Sequence, residues 1–377
     1  MSGPVIKGWC PGAYRPMMSG DGLILRVRPF RSQLDPTQVA VLCDLAEDLG
    51  HGTLDLTSRA NIQIRGLTEA GHDSALQRLM AARLLDPDPA TEARRNIVMH
   101  PDHRPGELTD RLYLALCTGL GSLPELPGKM GFALDTGAYA MLGAASADFR
   151  FELSRDGQLI LRADGAERGR PVTPEQAVPA LAEMARWFVD SDGPASGRMA
   201  RHLRHADMPA MWQQTAPRPQ SPAPQPGPWG AGTILGAAFG AIPADALRRL
   251  MRDSDARQMR LIPDRLFWLT GARDVIAPGF IQTPNAPLLA AHACPGAPHC
   301  RQASVATRDL ARRLAPHIRG GLHVSGCAKG CALSRAARLT LTGRDGRFDL
   351  IDNGRAWDQP SQRGLDPAQL CEIYECP

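Results

Sequence analysis

The sequence predicts an α+β fold made of two pseudo-symmetric copies of one unit, each a small half-domain followed by an α/β domain. Three observations lead there. Gly22-Leu23-Ile24-Leu25 returns as Gly232-Thr233-Ile234-Leu235, and each run is followed by a proline-started helix, at Pro36 and at Pro243. Ser154-Arg155-Asp156-Gly157-Gln158-Leu159 and then Asp164-Gly165 return as Gly343-Arg344-Asp345-Gly346-Arg347-Phe348 and Asn353-Gly354, with the offset shrinking from 210 to 189 residues. Between the copies, Pro217 to Pro228 holds six prolines in twelve residues, a stretch that can join neither a helix nor a central strand and reads as a stiff linker. The predicted boundaries are residues 1–88 and 89–215 for the first copy, 216–228 for the linker, and 229–284 and 285–377 for the second.

The elements follow in order. Leu23, Leu25 and Val27 alternate with Ile24, Arg26 and Arg28, which predicts a strand. Asp35-Pro36-Thr37 supplies an N-cap and a first-turn proline for a helix carrying Val39, Leu42, Leu45, Ala46 and Leu49 until Gly50. Strands at Thr53–Thr57 and Ile62–Arg65 and a helix from about Ser74 to Leu85 complete a ferredoxin-like half-domain. Beyond it come a helix from Thr109 to Thr118, a hairpin turned at Asp156-Gly157, and a capping box, Thr173-Pro174-Glu175-Gln176, opening a helix with Val178, Leu181, Ala185 and Phe188.

Composition is that of a globular chain of 377 residues, 43% hydrophobic and 22% charged, long enough for several modest domains. No apolar run approaches the roughly 18 residues of a membrane span. Met1-Ser2-Gly3-Pro4 lacks a signal pattern, so the expectation is a cytoplasmic protein in a reducing compartment, with thiols not used as ligands left free. The net charge of +4 comes from basic residues interspersed with acidic ones, without aromatic interleaving, which argues against nucleic acid as a partner.

Chemistry concentrates in residues 293–332. Cys294-x5-Cys300 and Cys327-x3-Cys331 bring four thiolates within reach of one centre if the intervening segment doubles back, the requirement of a 4Fe-4S cluster. Zinc competes, though structural zinc motifs favour gaps of two to four residues. Disulfides compete less well in a chain with nine cysteines and no signal peptide. In Thr57-Ser58-Arg59-Ala60-Asn61-Ile62-Gln63-Ile64-Arg65-Gly66, a strand would put Arg59, Asn61, Gln63 and Arg65 on one face, suited to a polycarboxylate through charge-assisted bidentate contacts; a solvated sheet face is the plainer reading. The helix with Arg308, Arg312 and Arg313 reads as a solvated face over Ala306, Leu310 and Leu314.

The cysteine pattern, set in His323-Val324-Ser325-Gly326-Cys327-Ala328-Lys329-Gly330-Cys331, resembles the sulfite/nitrite reductase superfamily, and the Thr57–Gly66 stretch is similar to that superfamily's Thr-x-Arg-x-x-x-Gln-x-x-Gly strand. Arg94-Arg95-Asn96-Ile97-Val98 is similar to its Arg-Asn-Val segment, and Leu126-Pro127-Gly128-Lys129-Met130-Gly131 to its Leu-Pro-x-Lys-Phe-Lys loop, with Gly131 where a second lysine would stand. Trp9-Cys10-Pro11-Gly12, the Gly20-Asp21-Gly22-Leu23 run and the missing lysine bring the chain closest to the precorrin-3B synthase family of aerobic cobalamin biosynthesis. That resemblance implies a 4Fe-4S cluster on Cys294, Cys300, Cys327 and Cys331, with catalytic roles for Arg59, Arg95 and Lys129. Substrate would be bound by these three with Asn61, Gln63 and Arg65. The reaction it implies is oxygen-dependent hydroxylation of precorrin-3A at C20, closing a lactone on the ring A acetate. It further implies a mononuclear non-haem iron, and NADH acting through a separate reductase, since the Gly230–Gly236 run leads into a strand and no pyridine-nucleotide loop is visible. The iron's ligands stay open among His100, Asp102, His103, His292, His299 and His323. A sirohaem-dependent sulfite or nitrite reductase is the alternative on the same fold, and an electron-carrier subunit a third reading that the arginine strand disfavours.

Overall fold

In the computed structural model, which describes residues 10–376, the chain passes twice through one sequence of elements. Trp9 and Met1-Ser2-Gly3-Pro4 lie outside the described residues. The first pass opens with β1 (Met17–Ser19), β2 (Gly22–Val27), β3 (Gln33–Leu34), α1 (Pro36–Leu49), β4 (Thr53–Leu56), β5 (Ile62–Leu67) and α2 (Glu69–Ala81). It continues through α3 (Pro89–Arg94), β6 (Ile97–Met99), α4 (Leu108–Gly119), β7 (Phe132–Asp135), β8 (Phe149–Leu153), β9 (Leu159–Ala163), β10 (Arg170–Pro171), α5 (Ala177–Asp190) and two single-turn helices, α6 (Gly193–Ser196) and α7 (Met199–His202). The second pass repeats this with β11 (Gly227–Trp229), β12 (Gly232–Gly236), β13 (Ala241–Pro243), α8 (Ala244–Asp253), β14 (Gln258–Ile262) and β15 (Leu266–Thr270). Then come β16 (Ala291–Ala293), α9 (Arg308–Leu314), β17 (Leu322–Ser325), β18 (Ala337–Arg344), β19 (Arg347–Gly354), β20 (Gln362–Leu365) and α10 (Pro367–Ile373).

Helix α1 begins where its sequence says. The Asp35 carboxylate accepts from the Gln38 peptide N–H at 2.8 Å and the Gln38 side chain accepts from the Asp35 N–H at 3.2 Å, closing a capping box ahead of a face that buries Val39, Leu42, Cys43, Leu45 and Ala46. Asp35→Ala removes the bond accepted by the carboxylate and is expected to cost about 1 kcal/mol, read as a lower urea midpoint with an unchanged m-value. Helix α2 starts at Glu69, five residues before the expected Ser74, because the Thr68 hydroxyl caps Gly71 N–H. Thr173 and Gln176 make the reciprocal box bonds, 3.1 and 3.3 Å, but around a preliminary turn, and α5 itself starts at Ala177.

The two half-domains are interlocked. Sheet order β1-β2-β5-β4-β13 ends on a strand from the second copy, and β11-β12-β15-β14-β3 on a strand from the first. Ile242 pairs with Leu54, and Leu34 with Met259. Each copy thus closes the other's open edge, and one apolar core runs through Leu25, Leu42 and Ile64 into Leu235, Met259 and Phe267. The boundaries at 88 and 229 therefore separate pieces that share a core. The α/β domains stay distinct: β6 to β10 pack on α4 and α5 around Phe149, Phe151 and Phe188, and β16 to β20 pack on α9 and α10 around Leu310, Val324 and Phe348. Their sheets have the same plan. Three parallel strands, β6-β7-β8 or β16-β17-β18, are extended antiparallel by β9 and β10 or by β19 and β20.

The proline-rich stretch, expected as a stiff linker, is bridged at Thr215, Pro217 and Gln220 to Gly169, Ser154 and Ala140, so it lies along the first α/β domain before entering β11. One expectation is corrected. Cys371 and Cys376, expected as free thiols, are joined as a disulfide at the end of α10.

Candidate functional site

The parallel strands set the position of the thiols. Cys294 directly follows β16, and Cys327 follows β17 after Gly326; β16 and β17 are hydrogen-bonded neighbours, with Ala293 opposite Val324. Ligands in parallel sheets gather at such carboxyl ends. Gly326 N–H donates to Cys294 Sγ at 3.2 Å, Thr307 Oγ1 donates to the Cys294 carbonyl, and Ser325 Oγ donates to that of Cys327 at 2.8 Å, so the chain around both sulfurs is tied down. In the first copy the register places His100 and Gly137 at these positions, so only the second copy presents sulfur.

All four cysteines are free thiols. Burial, more than the charges of the neighbouring thiols, raises the pKa values of Cys327 and Cys331, and Cys294 and Cys300 are among the neighbours of both. They are gathered, but loosely. One zinc ion with sulfurs at about 2.3 Å would draw the four to within ~3.8 Å of one another, whereas among the described residues no three of these thiols lie within 4.8 Å of each other. The donor set suits a larger thiophilic group than a single ion.

Cys294 and Cys331 open onto a cavity of about 520 Å³. Its cationic wall is Arg26, Arg65, Arg265, Arg308 and Arg335, with Gln63, Asp55, Asp264 and His292 beside them. Arg26 stands across the strand pair from Gln63, and its guanidinium reaches the Gln63 amide oxygen at 2.8 Å once that amide is turned to satisfy both groups. Arg65 clamps Asp21 through two bonds of 3.0 Å, Arg308 meets Asp55 at 3.2 Å, and Arg265 donates to the carbonyls of Leu289 and Ala291 at 2.7 Å. Among the described residues no hydrogen bond or ion pair engages Arg335. Asp264 and Arg265 both sit in the left-handed region, φ 64° and 71°, at the β14–β15 hairpin, strained for side chains of their size. Burial raises the Asp264 pKa and lowers that of His292 to about 3, the latter helped by Arg265. A second, more apolar cavity of about 290 Å³ shares Asp264, Arg265, His292 and Arg335 with the first.

The residues expected to bind substrate divide into groups. Gln63 and Arg65 line the cavity with Cys294 and Cys331. Arg59 does not share their face, because the strand begins only at Ile62 and Ala60 turns back at φ 53°. Its guanidinium instead donates to the Lys129 carbonyl at 2.8 Å and to Ser146 Oγ at 3.0 Å, and burial with Arg198 nearby lowers its pKa to about 10. Lys129 is thus held through its backbone. Asn61 is buried with Nδ2 unpartnered. Arg95, 2% exposed, lies in an internal triad: it donates to Glu92 and to the Arg28 carbonyl and stacks 3.9 Å from the Phe30 ring centre, while Arg28 meets Glu92 at 3.3 Å. Arg308 was expected on a solvated face and faces the cavity. Arg26, Arg265, Arg335 and Asp264 were passed over; pairing the two strands in sequence would have set Arg26 beside Gln63, whereas the others had no sequence signal.

Comparison with known proteins bears on the family and the fold. Residues 15–82 match the nitrite/sulfite reductase ferredoxin-like half domain. A precorrin-3B synthase from a Sinorhizobium species is 30% identical over 397 residues, covering 94% of this chain and 84% of the relative. The solved structure of the Mycobacterium tuberculosis NirA protein superposes with a TM-score of 0.63 at 17% identity, covering 93% of this chain and 79% of that one, a likeness of fold.

Proposed function

We propose, for a chain that belongs to the precorrin-3B synthase family within the sulfite/nitrite reductase superfamily, that it is an iron–sulfur monooxygenase. Its reaction is the hydroxylation of precorrin-3A at C20 by O2, with closure of a lactone on the ring A acetate, in cobalamin biosynthesis. The observation that carries this reading is the juxtaposition of five arginines with Cys294 and Cys331 around one cavity. A polycarboxylate tetrapyrrole needs several planar cations placed apart, each able to make a charge-assisted pair. Arg26, Arg65, Arg265, Arg308 and Arg335 bind and orient the acetate and propionate groups, and Arg335, which no hydrogen bond or ion pair engages among the described residues, is the one able to close on substrate.

Cys294, Cys300, Cys327 and Cys331 hold a 4Fe-4S cluster, which supplies single electrons when bound, delivered from NADH by a separate reductase. Asp264, whose pKa burial raises against the opposing charges of Arg265 and Arg335, is the carboxyl group we place at the cavity wall for proton transfer. The smaller cavity beside it has the apolar lining that a tetrapyrrole's ring edge would occupy. Gly131 supports this reading over a reductase. A Cβ there would lie 2.7 Å from the Asn96 carbonyl oxygen, so the second lysine of the reductase loop has no room.

An anaerobic absorption spectrum of the purified protein, with iron, sulfide and haem analysis, tests the proposal. The expected result is a broad cluster band without a Soret peak, and conversion of added precorrin-3A only with both reductant and O2. A stoichiometric sirohaem Soret band would make the chain a reductase instead.

A further inference from the structure

Outside the cysteine set, Asp21, His51 and His299 bring one ligand atom each within 4.8 Å of one another. They come from three separate places: the tip of the β1–β2 hairpin, the loop after α1, and the loop between Cys294 and Cys300. We propose that they form a site for one divalent transition-metal ion, such as Fe2+ or Co2+. Two imidazoles and one carboxylate, with further positions open, are the donor set of non-haem iron(II) sites.

The detailed geometry favours an ion over a direct ion pair. His51 Nε2 stands 3.6 Å from Asp21 Oδ2, too far for a hydrogen bond, while donors sharing one ion through bonds of about 2.0–2.2 Å sit roughly 3 Å apart. The His51 and His299 rings are 5.4 Å apart at 48°, neither stacked nor bonded. Asp21's side chain is only 4% exposed and is fixed by Arg65, which holds both oxygens and leaves a remaining lone pair for the ion; ligating carboxylates are commonly oriented by such outer partners. The backbone makes room for the arrangement. A Cβ on Gly66 would fall 2.4 Å from His51 Nε2, and one on Gly20 would fall 2.2 Å from the Arg301 nitrogen, where the His299 loop seats on the hairpin. Hairpin geometry does not demand the carboxylate, since the matching β11–β12 turn carries Ala231 where this one carries Asp21.

Arg65 joins the site to the cavity wall and Cys300 joins it to the thiol set, so the ion would lie between the two. The inference rests on the proposed function only in taking the ion to be the mononuclear iron of the hydroxylase. Its test is metal binding: cluster-loaded protein, stripped of loose metal by a mild chelator, is dialysed against Co2+, with low-temperature EPR of the bound ion. Wild type is expected to bind one Co2+ per chain, His51→Ala and Asp21→Asn to weaken that binding at least tenfold, and cluster iron and sulfide to stay unchanged. Because His51 is exposed, its replacement leaves folding intact. Wild-type protein that binds no Co2+, or a His51→Ala variant that binds it as tightly as wild type, overturns the site. Neither result bears on the sirohaem test, which alone decides the broader reading.

Discussion

Cys327→Ser is expected to abolish the broad visible absorption of the protein and to remove most of its iron and inorganic sulfide. The residue follows β17 in a segment held by Gly326 N–H on Cys294 Sγ and by Ser325 on its own carbonyl, so the substitution changes the donor and little else. Serine keeps the size but presents a hydroxyl whose deprotonation at neutral pH is far harder than that of a thiol, and iron–sulfur clusters are held by thiolates. The three remaining cysteines are separated too widely to close on a single ion in its place. Cys117→Ser on α4 serves as the control and should retain full iron and sulfide, because that thiol packs in the first α/β core, remote from the four. Full cluster content in Cys327→Ser would remove Cys327 from the ligand set and reopen the assignment of all four.

What was legible in the sequence was what neighbours along the chain decide. Asp35-Pro36 writes a helix start that needs no distant partner, and the N-cap forms as read, with Gln38 closing a box around it. The repeated Gly-Leu-Ile-Leu and Gly-Thr-Ile-Leu runs become β2 and β12, and the two Asp-Gly turns become the corresponding hairpins of the α/β domains. Contacts across long separations were not legible. Gln33-Leu34 and Ala241-Ile242-Pro243 are too short to carry any period, and their pairing partners lie about two hundred residues away, so the exchange that fuses the half-domains left no local trace. Arg308 shows the same limit for the cavity. Its helix pattern is identical whether it faces water or Asp55, 253 residues earlier in the chain. Arg59 failed differently: period-two alternation was extended through Ala60, whose positive φ breaks the strand.

Arg95→Ala is expected to destabilise the fold by about 3–5 kcal/mol while leaving tetrapyrrole affinity within threefold. The argument begins with burial. Arg95 and Glu92 are each about 2% exposed at the side chain, and Arg28 7%. Removing Arg95 strips Glu92 of its closest partner and its stronger cation, leaves it the 3.3 Å contacts with Arg28 and with the Asp86 N–H, and takes a guanidinium off the Phe30 ring. One buried carboxylate between two cations becomes one poorly paired, and the Arg28 carbonyl loses its donor at 2.7 Å. Neither loss touches the cavity wall. Arg335→Ala should behave in the opposite way, with stability within 0.5 kcal/mol or so of wild type because no internal bond is broken, and affinity for precorrin-3A falling roughly ten- to a hundredfold, the worth of one charge-assisted hydrogen bond. Urea denaturation and fluorescence-quenching titrations on the same two variants separate the roles. If Arg95→Ala keeps its stability and loses affinity, the arginine reaches the substrate after all, and the triad with Glu92 and Arg28 must open when the tetrapyrrole binds.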